Sequence, residues 1–127
     1  MSINIGDSLQ NKLEYICKFI NNNKPAIIFL LEVHSFEEEI RNFDNFFMKL
    51  GYRLSINCEK KPLYDLYNFS KRQKVVPKGG VVSLTNSKVN IENTESVIKK
   101  SVIKINVKIN NEIIEIFVFM HQVAAIQ

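Results

Sequence analysis

The stretch that decides the fold is KPAIIFLLEVHS, residues 24–35. Residues 26–31 are all apolar and do not alternate with polar ones, which predicts a strand with both faces covered, as in a sheet flanked by helices. Glu32 follows directly, at the end of this strand. A carboxylate at a strand end lies at the rim of a sheet, where ligands are bound in open α/β folds. Glu32 is therefore the first candidate functional residue.

Helical periodicity flanks this strand on both sides. Residues 8–22 carry apolar side chains at helical spacing, with Asp7 or Ser8 as the expected N-cap. Residues 36–49 repeat the pattern, and we expect Ser35 to cap this second helix. The inner stripe of the second helix is predicted to be core packing and consists of Phe36, Ile40, Phe43 and Phe47.

The rest of the chain is predicted to be mostly strands. A long loop over 59–78, with one helical turn around Leu63–Phe69, precedes the pair Gly79-Gly80. Asn110-Asn111 predicts a hairpin turn, since Asn tolerates positive φ. The predicted strands are 52–57, 81–85, 97–109 and 112–120. Together these elements predict one domain, residues 1–127, with a mixed, largely antiparallel sheet and two helices packed on it. This is an α+β fold or a layered α/β sandwich.

Composition fits an ordinary globular domain. The chain has 127 residues, of which 46% are hydrophobic and 24% charged. It contains no run of 18 apolar residues, so we expect no membrane span. The N-terminus lacks the basic-then-apolar layout of a signal peptide, which indicates a cytoplasmic or nuclear protein that is not secreted. Cys17 and Cys58 are too few and too far apart for a zinc site.

A basic segment with interleaved aromatic residues runs over residues 60–78. Ammonium and guanidinium groups suit phosphates and aromatic rings suit bases, so this composition is compatible with a nucleic-acid strand. A solvated loop whose aromatic residues cover the edge of the core is the alternative. The formal net charge of +4 permits contact with a polyanion without requiring it. The candidate nucleic-acid-binding residues are Lys71, Arg72, Lys74 and Lys78.

Five segments occur in an order that resembles a known superfamily. They are INIG, NKLEYICKFINNNKPAIIFLLEVHS, GYRLS, KGGVVSLTNS and SVIKINVKINNEIIEIFVFMHQ. The set resembles the N-terminal half of the endonuclease/exonuclease/phosphatase superfamily, which includes deoxyribonucleases, abasic-site endonucleases and retrotransposon endonucleases. The resemblance extends over nearly the whole chain.

The resemblance implies roles for three residues. Glu32 matches the metal-binding glutamate of the family, which is consistent with the preference of Mg²⁺ for oxygen ligands. Asn4 matches an asparagine on the first strand that helps to hold the metal or the phosphate. His121 matches a histidine that hydrogen-bonds the scissile phosphate, so Glu32 and His121 are the implied catalytic residues. Leu31 stands where the family has Gln. His34 has no family counterpart and is interpreted as a surface histidine, with assistance near a metal-bound phosphate as the alternative.

The family domain consists of two such halves, and its second half supplies an Asp-x-Asn motif and a closing Asp and His. This chain has no aspartate after Asp65. The resemblance also implies that the strands over 26–31, 81–85 and 112–120 expose an apolar face. We therefore expect a homodimer, or a partner that covers this face.

Three hypotheses about function stay open. The first is a Mg²⁺-dependent phosphodiesterase acting on DNA or RNA, weak or inactive unless a second chain donates the missing residues. The second is a non-catalytic nucleic-acid-binding or protein-binding module. The third is an unrelated small α+β protein that acts through protein contacts.

Overall fold

The computed structural model describes residues 2–61, 79–98 and 102–119, and the backbone of residues 123–126. Three helices are described: α1 (Leu9–Asn23), α2 (Glu37–Arg41) and α3 (Asp44–Lys49). The strands are β1 (Ser2–Asp7), β2 (Ile27–Val33), β3 (Tyr52–Asn57), β4 (Val81–Asn86), β5 (Ile91–Ile98), β6 (Val102–Ile109), β7 (Glu112–Phe119) and β8 (Val123–Ile126).

The described strands form two four-stranded sheets. The first sheet has the order β1-β2-β4-β3 and the second has the order β5-β6-β7-β8. Only the β1–β2 pair is parallel, and every other pair is antiparallel. This confirms the mixed, largely antiparallel α+β architecture, with the described strands divided between two sheets. Hydrophobic alternation reports which side chains share a face, and it does not report which sheet a strand joins.

The apolar run of β2 is explained by cover on both of its faces, as predicted. Ile28 and Leu30 lie in a core that the first sheet shares with the helices. Phe29 and Leu31 lie in a second core between the two sheets. Because successive strand residues point to opposite faces, a strand between two cores has apolar residues on both faces.

The second sheet corrects the expectation of an open apolar face. The face of β2 and β4 turned away from the helices is covered by the chain's own strands β6 and β7. The core between the sheets consists of Phe29, Leu31, Val81, Ile103, Ile105, Val107 and Val118. The second sheet therefore supplies the layer over β2 and β4, and no partner is needed to cover that face.

The region predicted as one helix over 36–49 is two short helices. Asn42 and Phe43 separate them, and Phe43 has φ −95° and ψ 2°, outside the helical region. Ser35 does not cap α2, because the N-cap is Phe36, whose N–H is bound by the Glu39 side chain at 3.2 Å. The Ser35 hydroxyl instead accepts a hydrogen bond from Leu9 N at 3.1 Å and so ties α1 to the end of β2.

The C-terminal half differs from the prediction mainly in its strand boundaries. The predicted strand over 97–109 combines the end of β5 with β6, and β5 itself begins at Ile91. The turn at Asn110-Asn111 is confirmed, with φ values of 52° and 67°. The helical turn expected around Leu63–Phe69 lies outside the described residues. No helix in the described part of the chain is long and apolar enough to cross a membrane.

Replacing Ile105 with Ala tests the packing of the two sheets. Ile105 is fully buried between them, so we expect a loss of about 2–5 kcal/mol in the free energy of unfolding, measured by urea denaturation. Ile109 is the matched control, because it lies on the same strand and face but is 50% exposed, and Ile109→Ala should cost clearly less. Equal effects at the two positions would contradict the packing of the second sheet on the first.

Candidate functional site

Several strand ends meet at one edge of the first sheet, which we call the rim. It consists of the ends of β1, β2 and β3 and the start of β4. β1 runs parallel to β2, and β4 runs antiparallel to both β2 and β3. Asp7, Val33 and Asn57 therefore end their strands on the same side as Val81 begins β4. The sequence expectation that Glu32 lies at a strand end of the central sheet is consistent with this topology.

Glu32 has an unusual backbone conformation. Its φ is 53°, in the left-handed region that favours glycine and costs roughly 1–2 kcal/mol for a residue with a Cβ. Regular pairing of β2 with β4 ends at Leu31–Val81, and Val33 N then donates to Gly80 O at 3.1 Å. In a regular ladder Val33 would face Gly79, so β2 carries one extra residue at this point. Glu32 thus lies in a bulge, at a position where glycine would have a lower backbone conformational energy.

The neighbouring strand is irregular at the same point. β1 pairs Asn4 with Leu31 and Asp7 with Val33, so two residues of β1 lie opposite Glu32 alone. Gly6 has a φ of 58°, which accommodates the additional residue. Both irregularities flank the same glutamate. Bulges of this kind occur preferentially next to functional sites, where they redirect a side chain.

Asn4 and Glu32 are in direct contact across β1 and β2. The Asn4 side-chain amide donates a hydrogen bond from Nδ2 to Glu32 Oε2. Asn4 is exposed and Glu32 is half-buried, so the pair faces solvent on one side. Two residues that are 28 positions apart in sequence, and that the resemblance implied as metal ligands, are therefore brought together. The contact makes Asn4 an orienting donor for the carboxylate.

Asp7 is hydrogen-bonded at the N-terminus of α1, where Ser8 is the N-cap and accepts a hydrogen bond from Asn11 N at 3.4 Å. The Asp7 carboxylate accepts hydrogen bonds from Ser8 N at 2.6 Å and from Asn11 Nδ2 at 3.0 Å. The hydrogen bond from Asn11, followed by that from Ser8, holds the pKa of Asp7 below its usual value, with smaller contributions from nearby Lys12 and His34. His34 is half-buried and its backbone N–H donates to Asp7 O at 3.0 Å. These residues therefore fix the strand ends beside Glu32.

Asn57 is a rim residue that the sequence reasoning missed. Its buried side chain donates from Nδ2 to Ile98 O at 2.8 Å and to Val102 O at 2.9 Å. Asn57 thereby joins the end of β3 to the second sheet at the rim. In the sequence, an asparagine at a predicted strand end, just before a cysteine, has no feature apart from its polarity that would indicate a structural role.

The remaining candidate residues lie outside the described part of the chain. These are His121, Lys71, Arg72, Lys74 and Lys78. What the structure does describe is where their segments attach. Lys61, which precedes residues 62–78 in the sequence, donates its N–H to the Glu38 carboxylate at 2.9 Å, and Gly79, which follows them, lies next to the rim. Phe119, two residues before His121, pairs with Val102, which is bound by Asn57.

The oxygen atoms at the rim fit a hard divalent cation. Mg²⁺ keeps several water ligands and is commonly held by one or two carboxylates together with substrate phosphates. Glu32 supplies a carboxylate and Asn4 an amide oxygen, both at the solvent side of the sheet. Among the residues that the structure describes, no group of three or more His, Cys, Asp or Glu side chains forms a denser metal site. The donor set is therefore sparse and suits Mg²⁺ better than zinc.

The backbone strain at Glu32 predicts an unusual order of stability. Glycine relieves a left-handed conformation and alanine does not, so Glu32→Gly should be more stable than Glu32→Ala by about 1 kcal/mol in urea denaturation. At the exposed β5 position Thr94 we expect the opposite order of stability, with Thr94→Ala more stable than Thr94→Gly, because glycine weakens an ordinary strand. Glu32→Ala proving as stable as Glu32→Gly would mean that residue 32 is not held in the left-handed region.

Searches with the sequence found no matching family model and no matching curated protein. Solved structures do match. An AP endonuclease from Archaeoglobus fulgidus aligns with a TM-score of 0.57 and 16% identity over 88% of this chain. The 3' phosphatase NExo from Neisseria, bound to a product DNA hairpin, aligns with a TM-score of 0.60 and 14% identity over 84% of the chain. TDP2 from D. rerio, complexed with single-strand DNA product, aligns with a TM-score of 0.52 and 9% identity over 86%.

The aligned region is only part of each of these proteins. The chain spans 37% of the AP endonuclease, 36% of NExo and 38% of TDP2. At such low identity the likeness concerns the fold alone. All three are endonuclease/exonuclease/phosphatase superfamily members. The chain therefore shares the fold of the aligned portions of these three proteins.

Proposed function

We propose that this chain is a Mg²⁺-dependent, nuclease-like phosphodiesterase half that contacts nucleic acid and is weak or inactive on its own. The observation that carries the proposal is Glu32, a half-buried carboxylate kept in a left-handed conformation and in contact with Asn4. Glycine would adopt this backbone conformation at a lower energy, so a glutamate there is best explained by a function of its side chain. The three solved proteins, which process DNA or carry a DNA product, support the same chemistry.

Each implied residue has a part in this proposal. Glu32 binds the cation and Asn4 orients its carboxylate through the Nδ2 hydrogen bond. When bound, Mg²⁺ would neutralise charge on a phosphate and polarise it. His121 would donate a hydrogen bond to the scissile phosphate. Both catalytic assignments, Glu32 and His121, rest on the resemblance and on the position of Glu32 at the rim.

Nucleic-acid contact is proposed for the basic segment attached beside the rim. Lys71, Arg72, Lys74 and Lys78 lie in a segment that starts after Lys61 and ends before Gly79. Their cations would bind phosphates without reading the sequence, and the net charge of +4 favours this. We also propose the cytoplasm or the nucleus as the compartment in which the chain works, as the sequence predicts.

Weak activity is proposed because the described rim has no dedicated general base. The Asp7 carboxylate accepts hydrogen bonds from Ser8 N and Asn11 Nδ2 at the N-terminus of α1, and no aspartate follows Asp65 in the sequence. General acid–base catalysis is worth on the order of 10²–10⁴-fold in rate. A second segment or a second chain would have to supply these groups for full activity.

A non-catalytic binding module is the second candidate function. It is favoured by the sparse donor set, since the described residues contain no cluster of three or more acidic or metal-binding side chains. Such a module would keep the fold and the basic segment and would bind nucleic acid without cleaving it.

Plasmid nicking with Mg²⁺ distinguishes the two candidates. We expect slow nicking by the unmodified chain and at least a tenfold loss in Glu32→Gln, which keeps the shape of the side chain but removes its charge. Glu14→Gln is the matched control, because Glu14 is an exposed carboxylate on α1 that pairs only with Lys18 among the ion pairs described, and it should leave nicking unchanged.

The other outcomes are equally informative. Salt-dependent DNA binding without nicking, retained in Glu32→Gln, supports the binding module and contradicts an enzyme that is active on its own. Neither nicking nor binding would contradict both candidates and leave a small α+β protein that acts through protein contacts.

We further propose that the chain pairs with a second copy through the outer face of the second sheet, the face turned away from the first sheet. Ile98 and Ile113 are 56% and 54% exposed there. The same face carries both acidic and basic side chains, so a two-fold axis can place unlike charges opposite each other. These charged residues are Glu95, Glu115, Lys104 and Lys108.

Light scattering tests this pairing. We expect the mass of a dimer for the unmodified chain and the mass of a monomer for Ile113→Glu, because a charge would be buried in an apolar contact. Tyr15→Glu is the control, since Tyr15 is 57% exposed on α1, on the helical side of the molecule. A monomeric unmodified chain at high concentration would overturn the proposal.

A further inference from the structure

Gly80 and the end of β2 approach each other unusually closely. Gly80 is buried, and its carbonyl accepts the hydrogen bond from Val33 N. A Cβ added at Gly80 would come within 2.9 Å of the Val33 carbonyl oxygen and 2.8 Å of Cys58 Sγ. Contacts this short force atoms to move, and one of the two atoms belongs to the backbone. Only a residue without a side chain therefore fits between β2 and the end of β3.

The Val33 backbone cannot move away from Gly80 without losing hydrogen bonds. Its carbonyl oxygen accepts a hydrogen bond from Ser35 N at 3.0 Å, and its N–H is bound by Gly80. The next residue, His34, donates its N–H to Asp7 O on the neighbouring strand. The Val33 side chain is fully buried in the core shared with the helices. A displaced carbonyl would thus break hydrogen bonds on the residue that directly follows Glu32.

We propose that Gly80 is a positioning residue for Glu32: its missing side chain lets the Gly80 carbonyl, just before β4, bind the Val33 N–H, and this hydrogen bond fixes the left-handed conformation that directs the Glu32 carboxylate toward Asn4. As far as metal binding is concerned, this inference rests on the proposed function. The hold itself follows from three observations, which are the Val33–Gly80 hydrogen bond, the close approach at Gly80 and the φ of Glu32.

Gly51 provides a matched control. Gly80 and Gly51 both have left-handed backbones, with φ values of 106° and 87°. A Cβ at Gly51 would meet nothing within 4 Å. Alanine at either position therefore brings a similar backbone strain, and only alanine at Gly80 also pushes against Val33.

The experiment compares Gly80→Ala with Gly51→Ala by two readouts. The first is the side-chain amide resonance of Asn4 in a ¹H–¹⁵N spectrum without metal, which reports the hydrogen bond to Glu32. The second is the affinity for Mn²⁺, used as a probe of the Mg²⁺ site and measured by calorimetry. In Gly80→Ala we expect the Asn4 resonance to move toward its position in Glu32→Ala and the Mn²⁺ affinity to fall about tenfold or more. Gly51→Ala should change neither.

A second variant keeps the test decisive if Gly80→Ala does not fold. The double variant Cys58→Ala with Gly80→Ala removes the contact with the sulfur and keeps the contact with the Val33 carbonyl. It should fold more stably than Gly80→Ala and still show the displaced Asn4 resonance. A folded Gly80 variant with the Asn4 resonance of the unmodified chain would overturn the inference.

Failure of the proposed function has a different signature. An unmodified chain with no affinity for Mn²⁺ overturns metal binding alone, and the Asn4 resonance then decides the inference about Gly80 by itself. Equal loss of Mn²⁺ affinity in Gly80→Ala and Gly51→Ala would show that general destabilisation is the cause, which also overturns the inference.

Discussion

The rim of the first sheet depends on how the end of β2 is held. Val33 is bound by Gly80 through its N–H and by Ser35 through its carbonyl, and its side chain is buried. β2 carries one more residue than β4 there, and the preceding residue takes a left-handed backbone. That residue is Glu32, and its carboxylate meets Asn4 from the parallel strand β1. A backbone constraint thus determines where the one candidate metal-binding carboxylate points.

The two cores explain why this arrangement is rigid. The helices pack on one face of the first sheet and the second sheet packs on the other, so β2 is fixed from both sides. Asn57 then links the end of β3 to the second sheet at the rim. A bulge in a strand supported in this way can keep a strained residue that a mobile loop would relax. The scaffold and the proposed chemistry are therefore connected through the same strand end.

Sequence reasoning could identify much of this fold for physical reasons. The unbroken apolar run of β2 required cover on both faces, and helical spacing marked α1, so these elements were recognisable locally. The pairing of Asn4 with Glu32 came only from the order of motifs, since no local pattern links residues 28 positions apart. The second sheet was missed because alternation in β6 and β7 shows which face is apolar and not what covers it. The left-handed φ of Glu32 had no signal in sequence, because it arises from the register between three strands.

The most direct test of the central claim is a crystal structure of the chain soaked with Mn²⁺, with anomalous diffraction to locate the ion. We predict an anomalous peak bonded to a carboxylate oxygen of Glu32, with residue 32 at positive φ and the Asn4 side chain within hydrogen-bond distance of that carboxylate. An ordinary extended backbone at residue 32, or Mn²⁺ bound only at sites remote from Glu32, would contradict the account.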